Sequence, residues 1–516
     1  MADFGFVGPS YEAPSIYQEA QECINFYPEI DPLKQAGQRG VVALYPTPGL
    51  VKKYQLIQEE VRGMRALSGG NWLIVVAGAN VYSIDTSDVI TVVGTLTTSN
   101  GYVSITDNQT TNNGLTAYIV DGPNRYTWEA KGSIFSQLPT SDGPWVGGTI
   151  CGTVDNYIFY NQPNTQNWAV TNLGVTTSPA QYGSKDGSPD NLVSMIVDHR
   201  QVYLLGEVTS EVWIDTGSQI AGLTTFPFSR ISGTSMQHGV AAAFSVARFA
   251  ESFMFVSRDT RGQAIIGGIN GYTFQRLSTH AVEQTLIGVN LSNAIAYTYQ
   301  IEGHEFYVVT FPDANLTWVY DLASQMWHKW LSVDNYNNYY RHRSNCAAFF
   351  NGMNLVGDYE NGKVYQLDNT VYTDDGNKIR RLRRAPHLVT DLQRQYFSEL
   401  QIQFQPGVGL NDNSSNLING YLAIAGIGIA GEAVAGSNPQ QDPGVTPQAM
   451  LRWSNDGGST WSNEHWTSIG KMGKYANRAI WRRLGWSRDR IYEVVVSDPI
   501  KAVIVSANLK GEGAEN

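Results

Sequence analysis

Cysteine is scarce: Cys23, Cys151 and Cys346 are the only three in 516 residues. An odd number of widely separated thiols supplies neither a disulfide framework nor a CxxC metal knuckle, and it suits a reducing cytoplasm. Long apolar runs are missing as well. No stretch of about twenty apolar residues occurs, which excludes a spanning helix, and the opening MADFGFVGPSYE places no basic residue before an apolar segment, so no secretory signal is expected. The eight histidines are scattered without an HExxH, and His342 with Cys346 is the nearest approach to metal spacing. No G-x-S-x-G elbow frames a serine. No metal, cofactor or catalytic group is therefore expected. Charge is thin too, at 16% of residues against 42% hydrophobic, which marks a globular chain and not a disordered one.

What is abundant is aromatic residues, at 11%, and glycine, at 51 residues, a combination that fits many short strands joined by tight turns. The stretch Asn71 to Leu96 reads as three strands: Trp72 to Val76, then Val81 to Ile84 after the turn Gly78-Ala79-Asn80, then Ile90 to Val93. The same grammar returns at His304–Val309 with Thr317–Leu322, and at Asn354–Gly357 with Lys363–Asp368. Repeats of roughly 40 to 50 residues with several strands each are what β-propeller blades require, because one blade cannot bury both faces alone. Units centred near Trp72, Tyr118, Tyr157, Tyr203, Phe255, Tyr307 and Leu355 count seven, or six if closure merges the first and last. A long β-sandwich is the alternative.

The expected fold is all-β: a six- or seven-bladed propeller over residues 62–375, a β-rich platform domain over 376–516, and an extended N-terminal arm over 1–61 packing on the platform. Pro9, Pro14, Pro28, Pro32, Pro46 and Pro48 keep the arm irregular, so it needs a surface to dock on. A mobile loop is expected near 411–448, rich in Gly, Ala, Asn and Pro. Lys378 to Arg384, KIRRLRR, holds five basic residues in seven. From Lys378 to Arg490 there are 14 Lys+Arg and 8 Asp+Glu, a balance of +6, which leaves −17 of the net −11 on the remainder.

Two motifs invite enzymatic readings. Ser454 to Trp461 fits S-x-D-x-G-x-T-W, the Asp-box of sialidases, yet it is a hairpin device without chemistry and occurs once, outside the blades. It supports a glycan-binding or sialidase-like propeller as the rival function. Gly426 to Gly431 matches G-x-G-x-x-G but no helix can follow it before Pro439, so it reads as a loop. The arginines Arg380, Arg381, Arg383, Arg384, Arg478, Arg482 and Arg483 are the candidate contact residues, either for neighbouring subunits or for DNA phosphates.

Glu22-Cys23-Ile24-Asn25-Phe26-Tyr27-Pro28-Glu29, then Leu44-Tyr45-Pro46-Thr47-Pro48-Gly49-Leu50 and Val61-Arg62-Gly63, resemble the amino-terminal signature of the packaged-DNA stabilisation proteins of short-tailed phages, also called tail hub or nozzle proteins. Arg452 to Gly458, Arg478 to Gly485 and Asp498 to Ala502 resemble the closing signature of the same family. The resemblance implies a non-enzymatic structural protein of the virion tail, assembled in the host bacterial cytoplasm. It implies a homohexamer below the portal and its adaptor or head-completion protein, with tail needle or spike proteins as further partners. Genomic double-stranded DNA would pass through the lumen without sequence-specific contact.

Overall fold

The computed structural model describes residues 2–34, 41–111, 113–217, 226–259, 261–391, 393–410 and 443–513. The Gly426–Gly431 motif and most of the 411–448 segment lie outside the described residues. The chain forms two compact units, residues 52–323 with 340–367, and residues 1–51 with 324–339 and 368–516.

In the first unit, antiparallel sheets follow one another in chain order. Blade one is Val61–Ala66, Trp72–Ala77, Asn80–Asp85 and Ile90–Thr95. The turn between its second and third strands requires glycine: Gly78 has φ +53°, and a Cβ there would sit 1.7 Å from a Glu59 carboxylate oxygen. Asp85 shapes the turn between the third and fourth strands by accepting the N–H groups of Ser87 and Val89 at 2.8 and 3.0 Å. Blades two to five begin with Ser104–Thr110, Cys151–Val154, Leu192–Asp198 and Ala247–Phe249, each the first of four strands. Blade six comprises Ile295–Ile301, His304–Phe311 and Leu316–Asp321. Blade seven comprises Ser344–Phe350, Met353–Asp358 and Lys363–Asp368.

The leading strands are lashed sideways to one another. Val103 N–H donates to Arg62 O at 3.2 Å from blade two to blade one, and Thr106 and Thr153 share a hydroxyl bond of 2.8 Å between blades two and three. Tyr297 OH donates to Ser344 Oγ at 2.7 Å between blades six and seven. Asn345 Nδ2 then donates to Val61 O at 3.0 Å, from blade seven back to blade one. That bond closes the ring, so the described residues form seven blades. The fourth strand of blade seven is supplied from before blade one, by the Lys52–Gln55 part of strand Gly49–Gln55, and Leu56 N–H reaches Gly362 O at 2.9 Å. A propeller closed by its earliest strand cannot open without breaking a sheet.

Large aromatics fill the spaces between neighbouring blades. Trp128 and Trp168 are fully buried, and Trp72 meets Trp128 edge-on with ring centroids 5.5 Å apart. Two buried arginines hold the crossings between blades. Arg62 donates to Gly78 O, Thr98 O, Asn100 O and Gly101 O at 2.6–2.8 Å. Arg125 does the same one blade later, to Val146 O at 2.8 Å and Trp145 O at 2.9 Å, with Asp142 as its counter-charge at 3.2 Å. Each carbonyl satisfied in this way is one that a crossing loop would otherwise bury unpaired.

The second unit is a β-sandwich. Its two main sheets are built from β1 (Ala2–Asp3), β2 (Glu22–Ile24), β3 (Phe26–Ile30), β4 (Val42–Pro46), β5 (Met326–Lys329), β6 (Arg381–Arg384) and β7 (Gln395–Phe404). They continue with β8 (Gln448–Ser454), β9 (His465–Ser468), β10 (Ala479–Arg482), β11 (Trp486–Ser487), β12 (Asp489–Val496) and β13 (Ile504–Gly513). One sheet has the order β3-β4-β13-β7-β10, with β1 against β13 and β11 against β7; in the other, the order is β5-β2-β6-β12-β8-β9. Phe26, Leu44, Leu400, Ile402, Trp481 and Ile504 from the first sheet pack on Cys23, Leu451, Tyr492, Val494 and Val496 from the second, with Phe6 inserted among them.

Candidate functional site

The last four residues of the basic run KIRRLRR form β6, whose period of two sends successive side chains to opposite faces. Arg383 lies in the row Cys23, Arg383, Val494 across β2, β6 and β12. It is fully buried and donates to Phe6 O at 2.7 Å, Pro9 O at 3.0 Å and Gln21 Oε1 at 3.0 Å. Arg381, equally buried, donates to Tyr372 O and Asp498 O, each at 3.3 Å, and burial pushes its guanidinium down to about 10. Burial thus removes Arg381 and Arg383 from any contact with a partner or with DNA. Their work is to clamp main chain, Arg383 holding the segment between Phe6 and Gln21 against the sandwich.

On the other face of the same strands runs an alternating ion-pair row. Glu22 stands opposite Arg384, Arg384 opposite Glu493, and Glu493 opposite Arg452. Glu493 is fully buried. One of its oxygens takes Arg384 Nε and Nη2 at 3.0 and 2.8 Å, and the other takes Arg452 Nε at 2.5 Å. Glu22 bonds Arg384 at 3.1 Å and Lys329 at 2.7 Å, and Lys329 reaches Glu12 at 3.0 Å. Three anions and three cations therefore alternate without net charge. Burial works to raise the Glu22 carboxyl, but Lys329 and Arg384 outweigh it and hold the group below its ordinary value. Trp461 covers the row, its ring 5.0 Å from the Arg384 guanidinium and 4.7 Å from that of Arg452.

Trp461 is the last residue of the Asp-box, which the structure shows as a hairpin brace. Asp456 accepts Thr460 N–H at 2.8 Å and Thr460 Oγ1 at 2.6 Å, while Ser454 Oγ accepts Gly458 N–H at 2.8 Å. The hydroxyls of Ser454 and Thr460 hold the Asp456 carboxyl down at about 2. The motif thus sets a lid of indole over the ion-pair row.

Asn25, at the centre of the N-terminal signature, has a role that sequence reasoning missed. It is fully buried in the left-handed region at φ +58°. Its amide donates to Leu331 O at 2.8 Å and Arg380 O at 2.9 Å and accepts Leu331 N–H at 2.8 Å, tying three distant segments. An asparagine tolerates this backbone conformation and supplies both donor and acceptor, which is the one signal the sequence offered.

Of the other candidate arginines, Arg380 is half-buried with the Tyr339 ring 5.1 Å from its guanidinium. Arg478, Arg482 and Arg483 are exposed. Arg482 pairs with Glu399 at 2.8 Å on the outer face of the first sheet. The structure does not bring these three into the ion-pair row.

The propeller unit holds several cavities among its described residues. One of about 350 Å³ is bordered by Arg65, Thr106, Thr153, Ser194 and Arg248 of the leading strands, and the threonines there bond to each other and to Asp107 O. The thiols are shielded: burial pushes Cys23 up to about 11 and Cys151 and Cys346 up to about 12, above the range where a thiolate forms at neutral pH. Among the described residues no three His, Cys, Asp or Glu side chains are grouped to hold a metal ion, and no helix is long and apolar enough to cross a membrane.

Fold and site together define a class: a two-unit all-β protein, seven-bladed propeller and sandwich, whose charged groups hold polypeptide in place. The family model described as the beta-propeller of bacteriophage P22 Gp10 matches residues 21–372, and the one described as the beta-sandwich of the same protein matches residues 432–512. The chain belongs to this P22 Gp10 family, the tail hub group whose signatures its two ends carry. The tail hub protein gp10 of Salmonella phage P22 is 21% identical over 376 residues, 70% of this chain and 75% of that protein. Among solved structures, a chain of the mitotic checkpoint complex aligns with 66% of this chain and 96% of its own length, at 13% identity and a TM-score of 0.39. The N-terminal domain of Nup159 aligns with 66% of this chain and 98% of its own, at 11% identity and a TM-score of 0.36.

Proposed function

We propose that this chain is the tail hub, or nozzle, of a short-tailed phage virion: a homohexameric tube below the portal and its adaptor that retains packaged DNA and conducts it on ejection. The observation that carries the reading is the succession of a Gp10 propeller and a Gp10 sandwich along one chain. The platform of the tube would be residues 376–516 with the arm, of which residues 1–51 belong to the sandwich unit and 52–61 to the propeller unit, and distal tail proteins such as a needle or spike would bind the assembled ring. The protein acts sterically and electrostatically and catalyses nothing. A rigid ring narrows the channel, and carboxylates facing the lumen repel phosphate so that DNA slides without sticking. The virion tail is its place of action, reached after assembly in the host cytoplasm.

Arg482 and Arg483 are exposed and lie on the platform, so they suit contact with carboxylates of a neighbouring subunit. Replacing both by glutamate is expected to block self-association while both units stay folded. Sedimentation velocity at low salt reads the outcome. A wild-type chain that remains monomeric at every concentration counts against the ring, and a double variant that assembles normally removes these two residues from the interface.

A further inference from the structure

The outer end of the first sandwich sheet presents a cross-strand aromatic pair. Tyr396 on β7 stands directly opposite Trp486 on β11. Their inward neighbour Phe397 is 3% exposed and belongs to the core, whereas Tyr396 and Trp486 are 50% and 49% exposed. The Arg394 guanidinium lies 4.7 Å from the Trp486 ring centroid, which stiffens the indole in place. Arg482 ends β10 and Arg483 follows it in the turn to β11, with Arg483 N–H bonded to Ser398 O at 3.0 Å. Tyr, Trp and Arg together are the residues that carry most of the binding energy at protein interfaces, and a pre-ordered pair loses little entropy on contact.

We infer that Tyr396, Trp486 and Arg394 form the anchor of a subunit interface, and that its occupant is a carboxylate-bearing surface on a second copy of this chain. Charge complementarity selects that occupant. Five arginines of the stretch from Lys378 to Arg490 are exposed, Arg394, Arg478, Arg482, Arg483 and Arg488, and an arginine pairs planar carboxylates two bonds at a time. The propeller unit holds 16 Lys+Arg and 24 Asp+Glu, a balance of −8, and offers the matching sign. A neighbour docked here covers two half-exposed aromatic side chains. The inference rests on the homo-oligomer reading and adds the residues that hold the contact.

The test uses the full-length chain with Tyr396→Ser and Trp486→Ser combined, compared with wild type by sedimentation velocity over a concentration series. Both side chains point outward, so the melting temperature is expected to be unchanged, while the dissociation constant for self-association rises by about 30-fold or more, as for a single hot-spot loss or greater. Equal association of variant and wild type overturns the inference and leaves the oligomer reading standing. A wild type that never associates removes both. If the variant keeps wild-type association but loses binding to a double-stranded DNA fragment, the occupant is nucleic acid and the inference fails. Should the double variant melt lower, Arg394→Glu carries the test, because it reverses an exposed charge and leaves the core residues in place: weaker association is expected, and unchanged association overturns the anchor.

Discussion

Replacing Glu493 by alanine is expected to destabilise the sandwich unit by about 3–5 kcal/mol, the cost of breaking a buried pair and leaving its partners unmatched. Glu493 is fully buried and is the shared counter-ion of Arg384 and Arg452. Removing it leaves two guanidinium groups under Trp461 with only Glu22 to balance them. The pair is not in itself a large source of stability, since desolvation offsets most of its attraction. Combining Glu493→Met with Arg384→Met and Arg452→Met is therefore expected to restore most of the loss. Hydrogen exchange in β12 and a denaturant midpoint specific to the sandwich measure both results, since a two-unit chain need not unfold in one step. A Glu493→Ala midpoint equal to wild type contradicts the role given to the row. The same row makes stability fall in acid. The folded-state value of Glu22 lies below its unfolded value of 4.5, so its contribution is fully present above pH 4.5 and is lost as pH falls through the folded value. Neutralising Glu22 with Glu22→Gln is expected to flatten that acid limb.

Trp168→Ala is expected to cost about 3–5 kcal/mol, with the loss confined to blades three and four. Trp168 is fully buried, and its ring meets Trp213, Phe226 and Phe228 edge-on at 5.6, 5.0 and 5.3 Å. Deleting the indole removes these contacts and opens a cavity that the ring of blades, closed at Asn345 and Val61, cannot collapse to fill. Trp466 on β9 is 54% exposed, and Trp466→Ala is expected to stay within about 0.5 kcal/mol. Exchange mass spectrometry across the two blades separates the cases. A Trp168→Ala effect under about 1 kcal/mol would mean that the aromatic cluster does not hold the blades together.

The middle strands of the blades were legible because apolar and β-branched residues cluster in them: Trp72 to Val76 and Val81 to Ile84 fall inside the observed Trp72–Ala77 and Asn80–Asp85. The leading strands were harder to see. Ser104–Thr110 is made largely of polar residues and Cys151–Val154 is only four residues long, so neither carries a sustained apolar alternation. Closure by Lys52–Gln55 was hidden because its partner strand lies some three hundred residues later. The arginine run was visible as charge but not as two faces. Whether Arg383 is a surface cation or a buried clamp depends on Phe6 and Pro9, more than 370 positions away. Glu22 and Glu493 carried no signal for the same reason: an isolated glutamate reads as solvated until a register places it opposite an arginine.

The most direct measurement of the central claim is imaging of the purified protein mixed with portal–adaptor complexes, by light scattering and negative-stain microscopy. The account predicts six-fold rings seated on the adaptor, with six copies of this chain per complex. A chain that stays monomeric beside intact portal–adaptor complexes would contradict it.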